Sequence, residues 1–181
     1  LFNSKVFNFP KPVSLLKHLI KAATNFDKSA IIVDFFSGSA SSAQAVLEVN
    51  AEDKEGGNRT FIAIQLPEVL DSKNASQKTA YEFLQSINRP TTLDFIGIER
   101  IKRAAAKIKS ETKADIDYGF KHYTLVEPSE DTIDKLEEFK ETEMFTNNDT
   151  LSLFGKETVL ETWLVKDGYG FGAKVEEVKL A

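Results

Sequence analysis

Apolar positions recur along the chain in two rhythms. After Pro12, residues Val13, Leu15, Leu16, Leu19, Ile20 and Ala23 are spaced for one face of an amphipathic helix, with proline in the first turn where it is tolerated. Ala30 to Val33 is then a continuous apolar run, the pattern of a fully buried parallel strand. The run ends in Asp34-Phe35-Phe36-Ser37-Gly38-Ser39-Ala40-Ser41-Ser42, and Ala43 to Val49 follows as a helix. Polar residues 51–59 read as a surface turn before a second strand, Thr60 to Leu66. Two helices are expected next, at Tyr81 to Ile87 and Ile96 to Lys109. In the latter Ile98, Ile101, Ala104, Ala105 and Ile108 share a face, and Glu99 can pair with Arg103 one turn on. Gly119 to Val126 is a third strand candidate, and Ser129 can cap a helix through Phe139. Thr158 to Val165 reads as a last helix, with Asp167-Gly168 turning into a terminal strand or hairpin. Strand and helix in alternation predict an α/β fold with a parallel sheet and crossover helices.

Charge divides the chain. Residues 1–126 hold 17 basic and 14 acidic residues, whereas residues 127–181 hold 6 and 14. The sign change suggests a boundary near residue 128, with a domain over 1–127 and a small acidic α+β module over 128–181. Residues 100–113 carry six basic residues and one acid; they read as a solvated helix face, with a footprint for a polyanion as the alternative. Hydrophobic residues make up 41% and charged residues 28%, enough for a core and against general disorder. The absence of cysteine excludes a disulfide scaffold, a thiolate nucleophile and a zinc–cysteine site within these residues. Two histidines, His18 and His122, leave little for a metal centre or a Ser-His-Asp triad and read as structural or surface residues. No apolar run reaches the roughly 18 residues of a membrane span and no secretory signal opens the chain, so a cytoplasmic location is expected. The first residue is Leu1 rather than Met, which suggests a piece of something longer.

Residues 31–46 carry the chemistry. A buried strand ends in a turn of small residues, and a helix N-terminus follows with unpaired N–H groups. Such a turn is suited to an adenosyl-type ligand at the carboxyl end of a strand. The plain alternative is a tight turn with a serine cap. About 30 residues separate the two strands, as one βαβ unit requires. Beyond the second strand, Gln65 or Glu68 stands where such folds hold ribose hydroxyls.

Five blocks in one order add a resemblance: FNFPKPVSLL, DFFSGSASSAQAV, NRTFIAIQLPE, IGIERIKRAAAKI and DYGFKHYTL. Together they resemble the modification subunits of type III restriction–modification systems, adenine-N6 DNA methyltransferases of the beta arrangement. ETWLVKDGYGF looks like the C-terminal region of that family. The resemblance implies an incomplete Rossmann-like, S-adenosylmethionine-dependent methyltransferase domain. Carried over by position, Phe36, Gly38 and Ala40 match its Phe-x-Gly-x-Gly, with alanine for the last glycine. A left-handed backbone at Ala40 would make that replacement costly. Phe9, Pro10, Lys11, Pro12 and Ser14 are similar to the segment that closes over the methionine end of the cofactor. Asp34, Phe35, Phe36, Ser37, Gly38, Ser39 and Ala40 would form the pocket, with Phe35 or Phe36 stacking on adenine. Gln65 or Glu68 would meet the ribose.

The catalytic loop of such enzymes is an Asp/Asn-Pro-Pro-Tyr type motif that holds the target amine of a flipped base. Here the five prolines stand at 10, 12, 67, 90 and 128, none adjacent, so no catalytic residue is assigned. The expected partners are duplex DNA, a restriction subunit and an N-terminal catalytic part, with a homodimer left open. The rival readings are a non-catalytic interaction module that holds partner subunits and a nicotinamide-dependent enzyme; the missing Gly-x-Gly-x-x-Gly disfavours the second. Gly168 to Gly172 reads as an aromatic hairpin rather than a phosphate loop, and Asp115 and Asp117 as turn residues.

Overall fold

The computed structural model describes residues 1–2, 6–53, 57–125, 152, 154–170 and 172–178. They fall into two compact units, 1–122 and 123–181. The boundary expected near residue 128 and the helix capped by Ser129 lie outside the described residues.

The first unit contains α1 (Val13–Ala23), β1 (Ile31–Asp34), α2 (Ser41–Glu52), β2 (Thr60–Ala63), α3 (Lys78–Ser86) and α4 (Leu93–Thr112). β1 and β2 pair in parallel from Ile31 opposite Thr60 to Asp34 opposite Ala63, with α2 as the crossover. α2 packs against α1 on one side and α4 on another. Its small apolar residues make this double contact feasible. Ala43 and Leu47 meet Ile101, Ala104 and Ile108 of α4, while Ala45, Val46 and Val49 meet Ile20 of α1. A separate cluster of Val6, Leu70, Ala80, Leu84 and Ile96 holds α3 and the start of α4.

Beyond α2 the chain is tied down. Asn50 Nδ2 donates to the Arg59 carbonyl at 2.8 Å, and the Arg59 N–H donates to Asn50 Oδ1 at 3.1 Å. The buried Arg59 guanidinium reaches Thr24 Oγ1 at 2.6 Å, the Thr24 carbonyl at 3.2 Å, and Asp53. Gly57 is required here, since a Cβ would stand 2.7 Å from the Asn50 Cα. The end of the expected surface turn is therefore core.

Three other expectations change. β1 is not buried on both faces, because Ile31 and Val33 are exposed and only Ile32 and Asp34 point inward. Pro12 caps α1 with an extended backbone instead of sitting in its first turn. Residues 119–125 form no strand: Tyr118 and Phe120 pack on the α4 side instead. The second unit has α5 (Lys156–Lys166), a turn at Asp167-Gly168 and, among the described residues, no strand. No helix among the described residues is long and apolar enough to cross a membrane.

Candidate functional site

The loop between β1 and α2 is built on strained backbone. Gly38 has φ +51° and Ala40 φ +55°, both left-handed. Such a conformation costs an alanine about 1–2 kcal/mol, so packing must hold it there. Ala40 is buried, and Gly97 of α4 lies against it. A Cβ at Gly97 would come within 3.3 Å of both Ala40 Cβ and the Gly38 carbonyl. Glycine at 97 thus lets α4 approach the loop. On the other side a Cβ at Gly38 would stand 3.1 Å from the Phe7 ring. Three hydrogen bonds complete the frame: Ala40 N–H to the Ser37 carbonyl at 2.7 Å, Ser37 N–H to the Ile64 carbonyl at 3.1 Å, and Gly38 N–H to Gln65 Oε1 at 2.7 Å.

A cavity of about 470 Å³ opens beside this loop. Phe9, Pro10 and Lys11 form one wall, and Asp34, Phe36, Ser37, Gly38 and Ser39 another. Two blocks some twenty residues apart in sequence thus meet at one site. Leu16, Leu19, Ile20 and Ile32 supply an apolar floor. Asp34 Oδ2 accepts from Ser42 Oγ at 2.6 Å, which fixes the carboxylate at the mouth of the helix. α2 has no side-chain cap hydrogen bond, and Ser41 and Ser42 of its first turn line the cavity. Phe36 is 82% exposed, so an aromatic face lies at the cavity.

Several expected residues lie elsewhere. Pro12, Ser14, Phe35, Ala40, Gln65 and Glu68 do not line the cavity. Gln65 spends its carbonyl oxygen on Gly38 and donates to the Leu66 carbonyl at 3.2 Å, so it braces the loop. Glu68 is exposed, and its backbone carbonyl accepts from the Leu93 N–H at the start of α4. Sequence reasoning missed Phe7, Ser41, Ser42 and Gly97. A glycine in a helix otherwise rich in isoleucine and alanine was the readable signal for the last of these.

The arrangement can hold an elongated ligand with a cationic group near Asp34, an acceptor near the α2 N-terminus and an aromatic ring near Phe36. Among the described residues no cluster of His, Cys, Asp or Glu is arranged to hold a metal.

Residues 154–181 match the C-terminal domain of the type III enzyme EcoP15I. The chain is 37% identical, over 98% of its length, to the StyLTI Mod subunit of a type III restriction–modification enzyme from Salmonella typhimurium. It is 29% identical over its whole length to the EcoPI Mod subunit of Escherichia phage P1. It is also 29% identical, over 96% of its length, to the EcoP15I Mod subunit of Escherichia coli. It spans 29%, 26% and 24% of those three relatives. Residues 2–110, which contain the cavity and the first unit's elements from α1 through most of α4, match the sequence model of the DNA methylases, and the chain belongs to that family.

Proposed function

We propose that the first unit is the S-adenosylmethionine-binding part of a site-specific adenine-N6 DNA methyltransferase of a type III restriction–modification system. The observation that carries this reading is the cavity itself, where the Phe9–Lys11 and Asp34–Ser39 blocks converge in a chain of the DNA methylase family. The residues fit the cofactor's chemistry. Asp34 offers a carboxylate to its ammonium group, the α2 N-terminus offers donors to its carboxylate, and Phe36 offers a face to its adenine. When bound, the cofactor supplies an electrophilic methyl on a sulfonium. The chain's own residues bind and orient it and exclude water along the apolar floor. The rate of such a transfer comes from orientation and electrostatics, not from covalent catalysis.

These residues alone lack the paired-proline loop that would grip a flipped adenine, so the 181-residue chain is proposed to be inactive by itself. Duplex DNA, a restriction subunit and an N-terminal catalytic part are the proposed partners. The outer sheet face supports incompleteness. Ile31, Val33, Ile62 and Ile64 are exposed on a two-stranded parallel sheet, a kind that is ordinarily covered on both faces. The same face favours a second reading, an interaction module without catalysis. Calorimetry with S-adenosylmethionine separates the two. The wild type should bind, and Asp34→Asn should weaken binding about 10- to 100-fold, the loss of one charge-assisted hydrogen bond. No binding to the wild type would leave the interaction module ahead. Labelled methyl transfer to adenine by the chain alone would overturn its proposed inactivity.

A further inference from the structure

A second cavity, of about 360 Å³, lies between the amino-terminal segment, α2 and α4. Its wall includes Phe2, Val6, Gln44, Arg100 and Lys107. Arg100 is only 9% exposed, although the basic run that contains it reads as solvated. A guanidinium that remains charged when buried needs compensation. Little is present. Nη1 donates to Gln44 Oε1 at 3.0 Å, and the Phe2 ring centroid lies 5.4 Å from Cζ. Nε is shielded from solvent and has no acceptor. Among the described residues no carboxylate pairs with Arg100. Acids of α2 and α4 are engaged with other bases, Glu99 with Arg103, Glu48 with Lys17, and Glu111 with Lys107 at 3.8 Å, whereas Asp94 in the first turn of α4 has one buried oxygen without a partner.

The chemistry of the vacant partner follows from the donors. Gln44 is partly engaged: its oxygen serves Arg100 and one of its two amide N–H groups donates to Glu48 at 2.9 Å. The charged donors that remain are the edge of one guanidinium and one ammonium at the rim. A phosphate has three acceptor oxygens and would leave one poorly served. A carboxylate has two, matched to a guanidinium edge. Phe2 and Val6 suit the methylenes that carry such a group.

We propose that this cavity receives one acidic side chain, a glutamate or aspartate on a polypeptide segment outside residues 1–181, which pairs with Arg100 while Lys107 flanks it. In the relatives, most of the polypeptide lies outside the aligned region, where such a segment is expected. The inference does not depend on the cofactor reading.

The test follows the Arg100 Nε–H resonance in the 181-residue protein. N-acetylglutamate N-methylamide is the probe, with its glutamine counterpart and inorganic phosphate compared at equal ionic strength. The glutamate probe should shift the resonance saturably in the millimolar range, and the other two should bind at least roughly fivefold more weakly. Arg100→Met should raise Tm by about 2–4 °C, because a desolvated charge disappears. Lys107→Gln, at an exposed position, should weaken the probe about threefold and leave Tm unchanged. No saturable shift in the wild type, an equal response to phosphate, or a fall in Tm for Arg100→Met would overturn the proposal. The last result would mean that Arg100 is purely structural.

Discussion

At the carboxyl end of α2, the side chains of Asn50 and Asp53 are consumed by Arg59, and Arg59 in turn holds Thr24 at the end of α1. At the amino end, α2 has no cap, two residues before it are left-handed, and the buried serines bond only to each other and to Asp34. The same helix thus closes one of its ends and leaves the other unsatisfied. Polar groups that must only support the fold are paired internally, since an unpaired buried group costs about 1–3 kcal/mol. Under the cofactor reading proposed above, donors kept for a ligand cannot be spent that way. Their backbone is held by neighbours, Phe7 on one side and Gly97 on the other.

The closed end should fail hardest. Arg59→Ala removes a guanidinium that is 95% buried and orphans Asp53, Thr24 and part of the loop, so it should cost about 3–5 kcal/mol in urea unfolding. A loss under 1 kcal/mol would show that the network is incidental. Gly38→Leu at the open end should cost less stability, about 2 kcal/mol from the left-handed backbone and the crowded Phe7 ring. It should still remove cofactor binding, because the Phe7 to Lys11 wall must move. Equal titration curves for wild type and variant would make the turn only a turn.

A smaller effect belongs to the α1–α2 seam beside the closed end. Burial disfavours the charge of Lys17, but the hydrogen bonds and charges of Glu52 and Glu48 outweigh it and raise its pKa above 10.5. Burial likewise pushes Glu52 up, yet Lys17 and Lys21 more than compensate and hold it below 4.5. A depressed carboxylate contributes stability above its unfolded pKa, lost as pH falls through the folded value. A raised lysine contributes below its unfolded pKa, lost as pH rises through the folded value. The gap in stability between wild type and Lys17→Met should therefore be flat near neutral pH and shrink in acid. Solvent exposure limits it to about 1 kcal/mol, and salt should reduce it further. Ala40→Gly should do least. Relief of about 1–2 kcal/mol of left-handed strain is offset by a lost buried methyl and a floppier unfolded chain, together of similar size. A shift beyond about 1 kcal/mol in either direction would mean that one of these terms has been misjudged.

Much of this site was legible in the sequence. The strand, the small-residue turn and the following helix stand where their pattern placed them, and the Phe9–Lys11 block faces the turn. The Glu99–Arg103 pair forms at 2.7 Å. Gln65 and Glu68 were harder, because both are polar residues beyond a strand and pattern cannot say which way a side chain turns. Arg100 misled for a similar reason. It shares a basic run with exposed lysines, but the period of α4 turns it inward beside Ala104.

The sequence by itself determined the order of elements from α1 to α4, the chemical character of the turn and the family. Local propensity, spacing and residue type depend only on neighbours along the chain. Tertiary structure decided the rest: that Ala40 adopts a left-handed backbone, that Gly97 makes room for it, that Arg59 is core and that Arg100 is buried with no carboxylate among the described residues. Those outcomes depend on which surfaces meet across tens of residues. Packing there sets the cost of strain and of burying charge, and no local pattern encodes it.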